Sequence, residues 1–287
     1  MEGNTLTVEI PHYADLFDKR ASRYYLLDGD YALYLALGST TEQCEWDDGV
    51  VTPVADLGAA VRFLESWFSG MVDPEGQVVF AFSEGSNYRI KWVPTYKAHR
   101  TGAKPVGYYQ LRKRLQARWS SVMVPWLEAD DLIGIYATCP AVAEKLVILA
   151  EDKDFLTIPA ARFNPRTRVI TLPTPESARY ALAKQVLMGD STDGYKGIPG
   201  VGPKTADKLL AGLSDPLAAV PEIYGAHGVQ DWSDNLLCAR ILSWPWVRQE
   251  VSRWYVDLTE RTLRTIEGCS TLPTNPRQSD SPRTSLR

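Results

Sequence analysis

The sequence predicts an α/β protein, a central and mostly parallel β-sheet followed by a smaller helical unit. Three apolar runs, YYLL (24–27), VVFAF (78–82) and LVILA (146–150), are rich in β-branched or aromatic residues and too short for helices. Such runs read as buried parallel strands. Segments of helical pattern at 57–68 and 130–137 lie between them, which is the βαβ alternation of an open sheet. From Thr174 the pattern turns helical, with Thr174 as N-cap, Pro175 at the first position and a helix running toward Met188.

Length and composition support this organisation. A chain of 287 residues with 45% apolar content fills one α/β core and a second, smaller unit. No stretch reaches the about 18 consecutive apolar residues of a membrane span, and the first residues lack a basic segment followed by an apolar run. A soluble, monomeric, cytoplasmic protein without a membrane partner is expected. Cys44, Cys139, Cys238 and Cys269 are scattered with no C-x-x-C pair, so reduced thiols are expected and no thiolate metal site. The polar, acidic segment 38–56 reads as a surface excursion. Residues 267–287, rich in Ser, Thr, Pro and Arg, bury too little apolar surface to order themselves and read as a disordered tail.

The net charge of −4 conceals an uneven distribution. Residues 85–127 contain no Asp or Glu, yet carry Arg89, Lys91, Lys97, Arg100, Lys104, Arg112, Lys113, Arg114 and Arg118. Cations without counter-charges repel one another unless a polyanion neutralises them. Trp92, Tyr96, Tyr108, Tyr109 and Trp119 are interleaved with them, as a base-stacking surface needs, although core burial accounts equally well for most aromatic residues.

Acidic residues stand at the end of each predicted strand: Asp28 after the first, Glu84 after the second, Asp152 and Asp154 after the third. In open parallel sheets the chemistry sits outside the carboxyl ends of the strands, so these groups should converge on one crevice. Glu128, Asp130 and Asp131 in LEADDL, and Asp190 and Asp193 in MGDSTDG, add to them. Glu128 and Asp131 would share a helix face, as would Asp190 and Asp193 if their helix continues. For LEADDL alone a first helical turn favoured by the helix dipole is an equal explanation. If all nine gather, neighbouring pairs about 5 Å apart repel by roughly 3 kcal/mol each at an effective dielectric near 20, so cations are needed. Oxygen ligands select hard ions, Mg²⁺ or Mn²⁺, and the excess of carboxylates over one octahedral shell suggests two of them. Without these nine acids the rest of the chain is net positive.

GIPGVGPKTADKLL (197–210) follows at once. Gly197, Gly200 and Gly202 permit a tight turn and Lys204 and Thr205 open a helix, giving helix, hairpin, helix. Hairpin amides and a helix N-terminus bind backbone phosphate without reading sequence.

LLDGDY, FSEG, PTYKAHR, LEADDL, AEDKDF and GDSTDGYKGIPGVGPKTA stand in the order found in the 5′-nucleases of the flap endonuclease superfamily, which the chain resembles from about Tyr25 to Leu210. KPVGYY (104–109) resembles the phage 5′-to-3′ exonucleases in particular. The resemblance implies a PIN-like nuclease domain at 23–173 with a basic arch segment at 89–127. It further implies a helix-hairpin-helix and C-terminal helical domain at 174–266, and leaves 1–22 as an N-terminal extension. It implies metal-ligand or supporting roles for Asp28, Glu84, Glu128, Asp130, Asp131, Asp152, Asp154, Asp190 and Asp193. Lys97 and Arg100 would contact the scissile phosphate and Tyr96 would stack on a terminal base. Arg89, Lys104 and the hairpin residues Gly197, Gly200, Gly202, Lys204 and Thr205 would contact DNA, with a monovalent cation at the hairpin. The family usually has Asp at the place of Glu84 and Asn at that of His99, so Glu84 is the weakest ligand and His99 reads as an exposed replacement.

The activity implied is two-metal hydrolysis of double-stranded DNA from 5′ ends or nicks, releasing 5′-phosphorylated nucleotides. The short interval from Lys97 to Glu128 favours exonuclease action over flap cutting, and RNA:DNA hybrids are a further candidate substrate. Two alternatives use fewer of the motifs. LLDGD has the D-x-D form of a haloacid-dehalogenase phosphatase, with Asp28 as nucleophile and Asp30 as acid, but this leaves the basic stretch and hairpin unexplained. A non-catalytic DNA-binding protein would bind without hydrolysis.

Overall fold

A computed structural model describes residues 5–250 and 253–266. After β1 (Thr5–Ile10) and a single turn, α1 (Tyr13–Leu16), the chain enters the central sheet at β2 (Tyr24–Asp28). Helix α2 (Gly29–Thr40) follows without a linker, because the Asp28 carboxylate caps it by accepting from the Asp30 and Tyr31 amides. The segment expected on the surface is an antiparallel hairpin, β3 (Thr41–Glu45) and β4 (Val51–Ala55). Helix α3 (Leu57–Ser69) returns to β5 (Gln77–Ser83); α4 (Tyr88–Trp92) and α5 (Tyr108–Arg118) precede β6 (Ser120–Val124); α6 (Ala129–Ala137) precedes β7 (Leu146–Leu149). A 3-10 turn (Lys153–Thr157) leads to β8 (Arg162–Asn164) and β9 (Val169–Thr171).

The sheet order is β6-β5-β2-β7-β8-β9, parallel throughout except for the β8–β9 hairpin. Its three central strands are the three apolar runs. Successive side chains of a strand point to opposite faces, and here both faces are buried. Leu26, Val79, Ala81 and Ile148 pack into one core with α6 and the helices that follow β9. Leu27, Phe80, Phe82 and Leu149 pack into the other with Leu33, Leu37, Leu64, Leu111 and Leu115 of α2, α3 and α5. Continuous apolar strands are what a sheet covered on both sides demands. Helix α6 is the most deeply inserted, with Leu132, Ile133, Ile135 and Tyr136 sealed from solvent, each Leu or Ile contributing about 1.5–3 kcal/mol of burial.

Thr174 caps α7 (Pro175–Met188) through the Ser177 amide, with Pro175 in the first turn. The helix stops at Gly189, whose φ of +69° is left-handed. A two-residue ladder, β10 (Gly189–Asp190) and β11 (Tyr195–Lys196), closes a turn. Gly189 and Gly197 lie back to back: a Cβ on Gly197 would sit 2.1 Å from the Met188 carbonyl carbon. The hairpin that follows is tacked down by buried Ile198 and Val201, and α8 (Pro203–Leu210) rises from it. Helices α9 (Val220–Ala226) and α10 (Trp232–Ala239) complete the helical unit, which shares its core with one face of the sheet.

Two boundaries differ from the sequence expectation. The region after α10 is not purely helical: β12 (Val247–Glu250) and β13 (Arg253–Thr259) precede a last turn, α11 (Glu260–Leu263). Residues 1–22 are not a separate extension either. β1 pairs antiparallel with β13 from Thr5↔Thr259 to Ile10↔Trp254, so a segment near each end of the chain joins one three-stranded sheet. Alternation in TLTVEI is too brief to name a partner 250 residues away, which is why the sequence reading missed it. The tail expected at 267–287 lies outside the described residues.

Candidate active site

The acids gather where the sheet topology places them, at the carboxyl ends of β2 and β7 and the first turn of α6. Asp28 ends β2. Asp152 follows β7 and caps the 3-10 turn, accepting from the Asp154 amide at 2.9 Å. Asp190 and Asp193 come from the β10–β11 turn, where Asp190 accepts from the Thr192 and Asp193 amides. Their proximity is written in their acidities. Burial, and after it the charge of Asp30, pushes the Asp28 carboxyl up to about 7. Burial followed by Asp28, Glu128 and Asp152 raises Asp130 well above the carboxylate range, against the opposing pull of Lys97. Burial followed by Asp152, Asp190 and Asp193 raises Asp154 to about 7, again partly opposed by a lysine, Lys153. Like charges that disfavour one another's ionisation are near neighbours.

Positive charge enters from the basic stretch. The Lys97 ammonium donates to Glu128 at 2.7 Å and lies 3.7 Å from Asp193. The Arg100 guanidinium donates to Asp193 at 2.6 Å and to the Thr192 carbonyl. Burial works to lower the Lys97 ammonium, but Glu128, Asp193 and Asp130 outweigh it and hold it charged. Glu128 shows the converse. Burial works to raise it, yet Arg89 and Lys97 bring it down to about 2. Lys97 has a left-handed backbone, φ +53°, held by its amide donating to the Asp193 carbonyl at 2.7 Å. Such strain costs about 1–3 kcal/mol and persists where surrounding structure over-determines it.

The structure relocates several of the sequence-predicted residues. Asp131 is fully buried and its oxygens receive the Arg89 guanidinium and the Glu128 and Leu242 amides. It occupies the capping-box position of α6 and is sealed inside rather than offered to a ligand. Arg89 is 2% exposed, too deep for DNA, because its charge is spent on Asp131 and Glu128. Tyr96 is 3% exposed; its hydroxyl lies 3.0 Å from Glu128 and 3.1 Å from Asp193, so its ring presents no stacking face. Glu84 is exposed and accepts from the Ser86 hydroxyl. Asp190 and Asp193 do not share a helix face, since α7 ends before them.

Among the described residues, no three His, Cys, Asp or Glu side chains are grouped as they would be around a single ion. Lys97, Arg100 and Arg89 instead offset the Glu128 and Asp193 end of the cluster. In the hairpin, Gly200, Lys204 and Thr205 are exposed, and Gly200 is left-handed at φ +80°. Gly202 is the N-cap of α8. Lys104 is exposed beside Tyr34 and Tyr108, its ammonium 5.3 and 4.6 Å from their ring centres. His99 is exposed.

Sequence reasoning took Asp30 only as the acid of a phosphatase. Its oxygens are committed to the Ser83 amide, at 3.0 Å, and to the Tyr108 hydroxyl, which leaves it a structural acceptor and removes the basis of the phosphatase alternative. Asn87, at the start of α4, was missed. It caps α4 by accepting from the Arg89 amide and helps hold the Glu128 carboxyl down, and an Asn two residues before a helix Arg is the modest signal that could have found it.

Comparison with known proteins agrees with this geometry. A family described as 5′-3′ exonuclease, N-terminal resolvase-like domain, matches residues 23–184. The exodeoxyribonuclease of Enterobacteria phage T3 is 33% identical over 208 residues, covering 68% of this chain and 68% of its own. The exonuclease of Escherichia phage T7 is 34% identical over 196 residues, covering 64% of this chain and 65% of its own. The chain thus spans about two thirds of the length of these curated relatives. In fold it is similar to the phage T5 D15 protein co-crystallized with metal ions, with a TM-score of 0.51, 13% identity, and coverage of 75% of this chain and 92% of that one. The chain belongs to the 5′-3′ exonuclease family and is a 5′-3′ nuclease.

Proposed function

We propose that this protein removes 5′-phosphorylated nucleotides from the 5′ ends and nicks of double-stranded DNA, as a monomer, with divalent cations held by its acid cluster. The observation that carries the reading is the meeting of Lys97 and Arg100 with Glu128 and Asp193 at one edge of that cluster. Cations and carboxylates side by side suit a phosphodiester, whose charge must be matched while acids serve a second function nearby.

The acids fit divalent ions by their chemistry. They are oxygen donors, and Asp28, Asp130 and Asp154 hold their protons unusually tightly because of burial and, after it, of neighbouring carboxylates, a cost that a bound cation offsets. Asp28, Glu128, Asp130, Asp152, Asp154, Asp190 and Asp193 would hold two Mg²⁺ or Mn²⁺ ions, with Glu84 a marginal member. Such ions supply an activated water and stabilise the leaving oxygen.

The chain's own residues do the rest. Lys97, held charged inside the site, and Arg100 at its rim orient the phosphate and offset charge that grows on it. The hairpin amides around Gly200 and the Lys204 ammonium grip backbone phosphate at a distance from the cut, which gives duplex binding without sequence preference. The T5 D15 protein was crystallised with metal ions, which supports the assignment of cations.

The test uses blunt, nicked and 5′-flapped duplexes labelled at the 5′ end, incubated with the protein and Mg²⁺, Mn²⁺ or EDTA. Labelled mononucleotides with either ion and none with EDTA are expected. Whole flaps as the first product would replace the exonuclease reading with a flap endonuclease.

A further inference from the structure

The segment from Lys97 to Gly107 carries Lys97, Arg100 and Lys104 past the acids between two anchors. At its start the Lys97 amide donates to the Asp193 carbonyl and the chain lies flat on Gly194, where a Cβ would come within 2.9 Å of the Thr95 carbonyl oxygen. At its end Gly107 is left-handed, φ +82°, and a Cβ there would lie 2.8 Å from Leu57. The next residue, Tyr108, has a buried ring and donates its hydroxyl to Asp30. Asp30 is thereby joined to three elements: its own helix α2, the end of β5 through the Ser83 amide, and α5 through Tyr108. Residues 98–104, between the anchors, are exposed.

A DNA strand with a long single-stranded 5′ arm must either pass beneath such a segment or have it swing aside. A strand with a free end at the cut needs neither. The second anchor combines the buried packing of Tyr108, Leu111 and Leu115 with one hydrogen bond to a charged acceptor, the polar contact whose loss is felt most, whereas the first adds backbone contacts to the side-chain bonds of Lys97 and Arg100.

We propose that the Tyr108–Asp30 hydrogen bond latches the 97–107 segment over the acids, and that these two positioning residues set the preference for free 5′ ends over the base of a 5′ flap. This rests on the exonuclease reading above, and deepens it by naming what excludes flaps.

The experiment compares wild type with Tyr108→Phe, which keeps the buried ring and deletes only the hydroxyl, and with Asp30→Ala, which keeps the tyrosine and deletes its acceptor. Each is given one duplex with a long 5′ flap and one blunt duplex, and the ratio of whole-flap product to mononucleotide is read. In either folded variant the ratio should rise about tenfold, the scale of a lost charge-assisted hydrogen bond, while a general loss of structure would lower both products together. An unchanged ratio in a variant with wild-type circular dichroism overturns the latch, and if one variant fails to fold the other decides. A wild-type protein that releases no mononucleotides from blunt duplex overturns the exonuclease reading and the latch with it.

Discussion

Arg89 and Asp131 meet inside the protein through two parallel hydrogen bonds of 2.7 Å. The same guanidinium donates to Glu128 at 2.8 Å and to the Arg240 carbonyl, so the acid edge of the site is braced by a segment beyond the family match. Breaking a buried pair by removing one partner leaves an uncompensated charge, at a cost of about 3–5 kcal/mol. Asp131→Ala is therefore expected to lower the urea midpoint sharply without changing the slope of the transition. The exposed pair Arg20–Asp18 is the control, and Asp18→Ala should leave the midpoint nearly where it was. Equal effects of the two substitutions would count against the buried brace.

Lys97 contributes charge rather than packing. Lys97→Ala is expected to slow cleavage by about 10²–10³-fold, the usual loss of one well-placed electrostatic stabiliser, and to leave duplex affinity measured in EDTA close to wild type. Arg100, half exposed and better screened, should give a smaller loss of rate. Full activity in Lys97→Ala would remove it from the site.

Asp130 and Glu84 differ in surroundings and should differ in cation dependence. Asp130 sits among Asp28, Glu128 and Asp152; Asp130→Asn is expected to raise the Mg²⁺ concentration for half-maximal rate at least about tenfold, a loss typical of metal-site partners. Exposed Glu84 touches Ser86, and Glu84→Gln should shift the Mg²⁺ curve little. The reverse order in a Mg²⁺ titration would make Glu84 the ligand.

Stability at acid pH tests the helical unit separately. Burial works to raise the Asp215 carboxyl, but hydrogen bonds from Arg179 and the Ala218 amide outweigh it and hold it below its ordinary 3.8. A carboxyl depressed in the folded state contributes stability above its unfolded pKa and loses it as pH falls through the folded value. Asp215→Asn should thus lower Tm at pH 7, and the gap from wild type should close as pH drops below 3.8. The effect is small, up to about 1 kcal/mol, since the group is partly exposed. A gap that persists unchanged to pH 2.5 would show that packing, not charge, is lost.

Much of the fold was legible because its signals are local. Val78–Phe82 type runs are strands whatever lies elsewhere, and Thr174 with Pro175 starts a helix by capping alone. The acids were legible for a topological reason: chain that leaves the carboxyl end of a parallel strand reaches the crevice, so Asp28, Asp152 and Asp154 needed no coordinates. LEADDL was harder. Glu128, Asp130 and Asp131 look alike in sequence, and the turn of α6 sends Asp130 among the half-buried acids of the crevice and Asp131 into the core.

The amino-acid sequence by itself determined the sheet, the family, the acids at strand ends and the glycine-rich hairpin, because each follows from periodicity, spacing or a motif within a few dozen residues. Tertiary structure alone decided which charges serve one another. Arg89 and Tyr96 read as DNA contacts in a basic stretch, yet both are consumed by buried carboxylates. Asp30 became a tie between three elements, and β1 found its partner at β13. A charge is neutralised by whatever lies within a few ångströms, and proximity between residues far apart in sequence is a property of the packed chain.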